Sequence, residues 1–196
     1  MSAAGRVCTG FSKPYVALYS ASGGVISYTS GQLLARGVNV SVTPESGDDN
    51  NFHADNILAE TGDATFTGGE ASLTIDGLLT QAERLIMGLP EANQAGWIVY
   101  DDDQAVPYVG IGFIARYQSG GAVTYVPYVL LKCKFNQIGT NAATQEENID
   151  YQTQELTAKI FRSDDAKHTW KAVGTEQTTE SAAETELRTK LGIASS

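Results

Sequence analysis

The stretch Val109-Gly110-Ile111-Gly112-Phe113-Ile114-Ala115-Arg116-Tyr117, followed by Ser119-Gly120-Gly121 and then Val123 to Phe135, decides the fold class. Successive side chains of a strand point to opposite faces. Val109, Ile111, Phe113, Ala115 and Tyr117 therefore share one face, and Gly110, Gly112, Ile114 and Arg116 the other. Ser119-Gly120-Gly121 turns the chain, because glycine reaches the positive φ that tight hairpins need. The return strand sets Val123, Tyr125, Val129, Leu131, Cys133 and Phe135 on one face and Lys132 and Lys134 on the other. Pro127 cannot donate to a ladder and predicts a bulge or an unpaired edge. The chain reads as mainly β.

Outward from this hairpin the same pattern recurs. Pro14 to Ser20 and Val25 to Ser30 flank Ser22-Gly23-Gly24, a first hairpin behind an N-terminal arm at 1–13. Val38, Val40 and Val42 alternate with Asn39, Ser41 and Thr43. A long acidic loop is expected over 44–55, with extended structure resuming over Asn56 to Thr61. Ala71, Leu73 and Ile75 then alternate with Ser72, Thr74 and Asp76. Thr80 and Glu83 have capping-box spacing for a helix that carries Leu85, Ile86 and Leu89 and ends at Gly88 and Pro90. Trp97 to Tyr100 reads as a short strand before an Asp101-Asp102-Asp103 turn.

The apolar phase shifts between Ile149-x-Tyr151 and Leu156, Ala158 and Ile160, which predicts a bulge near Gln154. Lys167 to Val173 reads as a closing strand. Ser181 and Glu184 repeat the capping-box spacing before a helix through Leu191, stopped by Gly192, within a C-terminal helix and tail at 178–196. No internal repeat or long linker interrupts the pattern, so 1–196 is expected to be a single domain.

Composition narrows the function. With 196 residues, 42% apolar and 18% charged, the chain can bury one sizeable core. No run of about 18 apolar residues is present, and no apolar segment follows Arg6, so neither a membrane span nor a secretion signal is expected. Cys8 and Cys133 read as free thiols, Cys133 as a small core residue. The net charge is −10, which argues against holding nucleic acid through a cationic patch. Between Arg36 and Arg84 there is no Lys or Arg, while Glu45, Asp48, Asp49, Asp55, Glu60, Asp63, Glu70, Asp76 and Glu83 fall there. One surface should be strongly negative.

Signals for chemistry are weak. His53 sits in Asp48-Asp49-Asn50-Asn51-Phe52-His53-Ala54-Asp55, which lacks the ligand spacing of a calcium loop and reads as solvated acid. His168, between Lys167 and Trp170, reads as a surface residue at a strand edge. Asp101-Asp102-Asp103 reads as a turn. Gly110-x-Gly112 lies inside a strand and opens no helix, and no phosphate loop, nucleophile elbow or paired-Cys zinc spacing occurs. Nine tyrosines scatter over separate strands and read as core or subunit-contact residues. No catalytic residue, cofactor or metal is expected, and the chain is read as a structural protein and not an enzyme.

The order of the elements carries a resemblance. Val38-Asn39-Val40-Ser41-Val42 followed by Phe52-His53-Ala54-Asp55-Asn56-Ile57-Leu58-Ala59-Glu60 resembles the major tail (tail tube) protein family of siphophages of Gram-positive bacteria. Phe66-Thr67-Gly68-Gly69, Leu73-Thr74-Ile75-Asp76-Gly77-Leu78 and the Gln81–Gly88 helix follow in the family's order. So do Val106-Pro107-Tyr108-Val109-Gly110-Ile111-Gly112-Phe113, Leu131-Lys132-Cys133-Lys134-Phe135 and the Tyr151–Leu156 strand, so that the match runs from about Val25 to the C-terminal helix. The resemblance implies a β-sandwich or barrel with a flanking α-helix and a C-terminal helix. It implies hexameric rings stacked into a hollow tube in the virion tail, built in the host cytoplasm. Its implied partners are further copies of itself, the tape-measure protein, the tail terminator and distal tail proteins. Double-stranded DNA passes through such a tube without specific binding, and no membrane insertion is implied.

Within that frame Asn39, Ser41, Thr43 and Glu60 are expected to face the lumen. Glu45, Asp48, Asp49, Asn50, Asn51 and Asp55 are expected to form a loop reaching the next ring. The alternatives are a tube protein of a related contractile or secretion apparatus, and a β-sandwich carbohydrate-binding module or hydrolase.

Overall fold

Both predicted glycine hairpins form, and together they make the spine of the main sheet. The computed structural model describes residues 5–47, 51–54, 57–61, 64–90, 97, 99–140, 144 and 152–194, and for 51–54 and 57–61 the backbone only. Strand β1 (Val7–Ser22) turns through Gly23 and Gly24, at φ 58° and 80°, into β2 (Val25–Leu33). Next come β3 (Gly37–Ser46), β4 (Asn51–Ala54), β5 (Ile57–Thr61), β6 (Phe66–Ile75) and helix α1 (Thr80–Met87). Strands β7 (Val109–Ser119), β8 (Ala122–Phe135), β9 (Gln154–Phe161) and β10 (Lys171–Val173) then lead to α2 (Glu180–Lys190).

The main sheet is antiparallel in the order β2-β1-β7-β8-β9-β6-β3, with β10 on β8, while β4 and β5 pair with each other. The sheet curls around one core. Val16, Leu73, Ile111, Leu130, Leu156 and Ile160 meet inside it, and α1 adds Ala82, Ile86 and Met87. A Cβ on Gly37 would fall 2.1 Å from the Phe11 ring, so glycine lets the start of β3 lie against β1. A second cluster sits outside the sheet, where Ala183, Leu187 and Leu191, on and just beyond α2, cover Tyr15, Ala17, Ile114 and Val129. Gly110 and Gly112 make the seat for this helix. A Cβ on Gly112 would lie 2.6 Å from Leu187 and 2.8 Å from Leu191.

Several sequence expectations are corrected. Strand β1 begins at Val7, paired with Gln118, and so takes in much of the predicted arm. The ladder between β7 and β8 runs unbroken past Pro127, opposite Ile114. The Pro127 oxygen accepts from Gly174 N–H at 2.8 Å. In an antiparallel strand a residue's nitrogen and oxygen face the same side, so the missing donor faces the end of short β10 and no bulge is needed there. The bulge lies further on: Ile111 pairs Leu130 but Val109 pairs Cys133, an extra residue in β8. It turns Leu130, Cys133 and Phe135 all inward, against the single face expected for Val129, Leu131 and Cys133. Val38 is likewise out of phase, because the register with β6 shifts between Gly37 and Asn39; it is 55% exposed.

Neither predicted capping box forms, for a common reason. Leu79 is the N-cap of α1 without a side-chain cap, and Glu83 accepts from the Tyr100 hydroxyl at 2.5 Å. In α2 the cap is Thr179, whose Oγ1 accepts from Ala182 N–H, and Glu184 accepts from the Tyr15 hydroxyl at 2.5 Å. Each glutamate is drawn to a tyrosine distant in sequence. Of the predicted strand at Trp97 to Tyr100, the described residues are Trp97, a bridge residue, and 99–100, which are irregular. The closing strand shrinks to Lys171–Val173, since 163–169 form a tight turn with His168 at φ 53°. The expected phase shift between Tyr151 and Gln154 begins outside the described residues.

Candidate functional site

The outer face of the sheet is divided. Over β1, β7 and the middle of β8 it is apolar and lies under α2. Over β3, β6 and most of β9 nothing among the described residues covers it, while at the end of β8 Tyr108 and Asp164 lie against Lys132. Because Val40 and Val42, Leu73 and Ile75, and Leu156 and Ile160 point inward, the residues between them point out. Register sets these in rows: Asn39–Thr74–Glu155, Ser41–Ser72–Thr157, and Thr43–Glu70–Lys159–Lys134. A fourth row runs Glu45–Gly68, then Phe161–Lys132. Asn39, Ser41, Thr43, Glu70, Glu155 and Lys159 are exposed.

Charge is spread over this face. Glu45, Glu70 and Glu155 put one acid each on β3, β6 and β9, hydroxyls lie among them, and the lysines gather at β8 and β9. Ser72 Oγ donates to Glu155 Oε1 at 2.7 Å. Lys134 and Lys159 stand directly opposite each other, a like-charge pair that costs stability in a sheet. Lys132 Nζ pairs with Asp164 at 2.8 Å and lies 4.6 Å from the centre of the Tyr108 ring. The hydrogen bond from Lys132, then that from Tyr19, holds the Asp164 carboxyl below the usual carboxylate range.

Strand β3 is the end of the sheet order, so one of its sides has no strand partner among the described residues. Its entry is fixed by Arg36, whose N–H and Nε donate to Asp76 at 3.0 and 2.5 Å. Desolvation pushes the Asp76 carboxyl up, but the hydrogen bonds from Arg36 outweigh it and leave the carboxyl lowered.

The predicted site residues fall into different groups from those expected. Asn39, Ser41 and Thr43 do share one face of β3. Glu60 belongs to β5, opposite Phe52, in the separate two-stranded sheet. Glu45 and Asn51 are strand residues and not loop residues: β3 continues through Glu45, paired with Gly68, and Asn51 opens β4 opposite Thr61. Asp48, Asp49, Asn50 and Asp55 lie outside the described residues. Sequence reasoning missed Glu70, Ser72, Thr74, Glu155, Thr157 and Lys159 as members of the face. Their alternation was visible, but not that β6 and β9 would lie beside β3.

Among the described residues no group of three or more His, Cys, Asp or Glu is placed to hold a metal ion, and no helix is long and apolar enough to cross a membrane. Cys8 is exposed, Cys133 is buried, and both are free thiols; burial pushes the Cys133 thiol up, away from reactivity. No protein-family model and no curated protein matches the chain.

Proposed function

We propose that the chain is a self-assembling structural subunit and not an enzyme: a tail-tube protein of the kind it resembles in siphophages, stacking as hexameric rings into a hollow tube that conducts DNA. The observation that carries this reading is the divided sheet face. One half is sealed by the chain's own helix, while the other half is polar, has no cover among the described residues and is bounded by the strand edge of β3. An exposed edge is a template for pairing with another chain, and ring closure is one way to remove it. In this reading Asn39, Ser41, Thr43, Ser72, Thr74 and Thr157 line the lumen. Hydroxyls and an amide, interspersed with Glu45, Glu70 and Glu155, give passing phosphates few attractive charges to break. The tube sits in the virion tail and contacts tape-measure, terminator and distal tail proteins.

Negative-stain microscopy and sedimentation velocity of the purified full chain, over a range of concentrations, test this. Rings or long hollow filaments are expected. Monodisperse monomers at every concentration, with affinity for a sugar, would overturn the reading in favour of a carbohydrate-binding module.

A further inference from the structure

The order of the main sheet ends at β2 on one side and β3 on the other, and the two ends differ. From Asn39 to Glu45, β3 pairs with β6 residue for residue and none of these positions has positive φ. Strand β2 is interrupted. Val16 pairs Gln32 but Leu18 pairs Thr29, so β2 carries an extra residue at Ser30 and Gly31, opposite Ala17. Ser30 sits at φ 54°, a left-handed conformation uncommon for a residue with a Cβ, so the bulge stands only because its surroundings hold it. A bulge on an edge strand turns that strand aside from pairing with another chain.

The surroundings that hold it are the turn after α2. Gly192, at φ 63°, reverses the backbone, Ile193 N–H donates to the Arg188 carbonyl at 2.9 Å, and Arg188 Nη2 donates to the Ala194 carbonyl. The turn lies directly on β2. A Cβ on Gly31 would fall 2.3 Å from Ile193 Cγ1, and a Cβ on Gly192 would fall 2.8 Å from the Tyr28 carbonyl oxygen. Glycine at both places lets the two backbones approach. The other end of α2 rests on a matching bulge in β1. Ser12 pairs Ile114 but Tyr15 pairs Gly112, which leaves an extra residue at Lys13, with φ 53°. Lys13 Nζ meets Glu184 at 3.3 Å, and Ser12 Oγ donates to Glu180 at 2.5 Å. The two bulges thus lie under the two ends of one strap, 180–194.

We propose that the turn 191–194 is an autoinhibitory catch: by seating Ile193 on Gly31 it keeps the edge of β2 bulged and closed to a second copy of this chain. The inference rests on the self-assembly reading above and adds its control. While the catch is seated, the β3 end of the sheet is a regular open edge and the β2 end is not, so copies meeting end to end find only one competent strand. Lifting the turn removes the contact that supports Ser30 in its left-handed conformation, and the edge of β2 can straighten into a ladder.

Sedimentation velocity and electron microscopy of the full chain test it, with hydrogen exchange read on the monomer below the assembly concentration. Ile193→Ala withdraws the side chain from Gly31, and Gly31→Ala expels it from the other side. Each should lower the concentration at which assembly starts about tenfold. In the monomer each should speed amide exchange at 28–32 while β6 and β9 keep their protection. Ser30→Gly lets the bulge stand without the tail, and added to Ile193→Ala it should return the threshold to near wild type. If wild type assembles and the two tail variants assemble no sooner, or Ser30→Gly restores nothing, the catch is refuted while the tube reading stands. Exchange that rises evenly over the whole sheet also refutes it, because Ile193 would then be a core residue only. Tail variants that assemble sooner, but into neither rings nor tubes, overturn the tube reading and leave the catch. Chains that stay monomeric in every form overturn both.

Discussion

The two halves of the outer sheet face are built from the same strand geometry and opposite chemistry. Beneath α2, the outward positions are Tyr15, Ala17, Ile114 and Val129, with Gly110 and Gly112 cut away to admit Leu187 and Leu191. On β3, β6 and β9 the outward positions are Asn39, Ser41, Thr43, Ser72, Thr74 and Thr157, with the charged Glu70, Glu155 and Lys159 among them. The first half is complementary to something the chain itself supplies. The second is complementary to nothing among the described residues, yet it is orderly, row by row. A sheet needs only its inner face to fold, so each outer half can be set by what touches it. Apolar area identifies the half that stability depends on, and the polar half is free to answer to assembly.

The largest effect should come from emptying the covered half. Leu187→Ala removes a fully buried side chain from a seat shaped by glycine, which cannot collapse to fill the gap. A loss of about 3 kcal/mol is expected in chemical denaturation, typical of a Leu cavity. If the loss were within a few tenths of a kcal/mol, α2 would be dispensable and the contrast between the halves would fail.

A middle-sized effect concerns how α2 is fastened at its rim. Ser12 and Tyr15 of β1 donate to Glu180 and Glu184, each at 2.5 Å, and Lys13 pairs with Glu184 at 3.3 Å. Desolvation pushes the Glu184 carboxyl up, but the hydrogen bonds from Tyr15 and Lys13 prevail and leave it lowered from its ordinary 4.5. A lowered folded-state value means stability that is full above about pH 4.5 and is lost as pH falls through the folded value. Burial, and next the bond to Glu184, pushes the Tyr15 phenol up to about 12 from its ordinary 10.0. That contribution is full below pH 10.0 and is lost as pH rises toward about 12. Tyr15→Phe should cost about 1 kcal/mol at neutral pH and flatten both limbs of a melting-temperature profile against pH. Unchanged acid and alkaline limbs would show that the clamp is not what fastens the helix.

How much of this was legible follows from distance along the chain. The glycine hairpins, the inward positions of β6 and β9 and the terminal helix could be read locally, because alternation and turn residues act within a few positions. What could not be read came from partners far apart. Tyr15 lies 169 residues from Glu184, and its hydroxyl takes the carboxylate that a capping box would have used. The extra residue in β8 that turns Cys133 inward answers to its pairing with β7 and leaves no mark in the alternation. The grouping of the four polar residues suffered in the same way. Asn39, Ser41 and Thr43 share a face that their own strand reveals, but Glu60 was joined to them by closeness in sequence, and it belongs to another sheet.

The smallest effect on stability, and the sharpest test of the division, belongs to the bare half. Ser72 lies in the middle of the rows, between Ser41 and Thr157, and its hydroxyl donates only to Glu155, at the exposed surface. Ser72→Val places a β-branched apolar side chain where nothing among the described residues packs over the sheet, and β propensity offsets the lost hydrogen bond. Denaturation should move by no more than about 0.5 kcal/mol, as for other surface substitutions. In assembled tubes the same change would put an apolar spot on the proposed channel wall, so DNA passage or tube formation should be impaired while the monomer melts as before. A stability loss comparable to that of Leu187→Ala would mean that the bare face is covered within the monomer after all, and the division between the two halves would have to be abandoned.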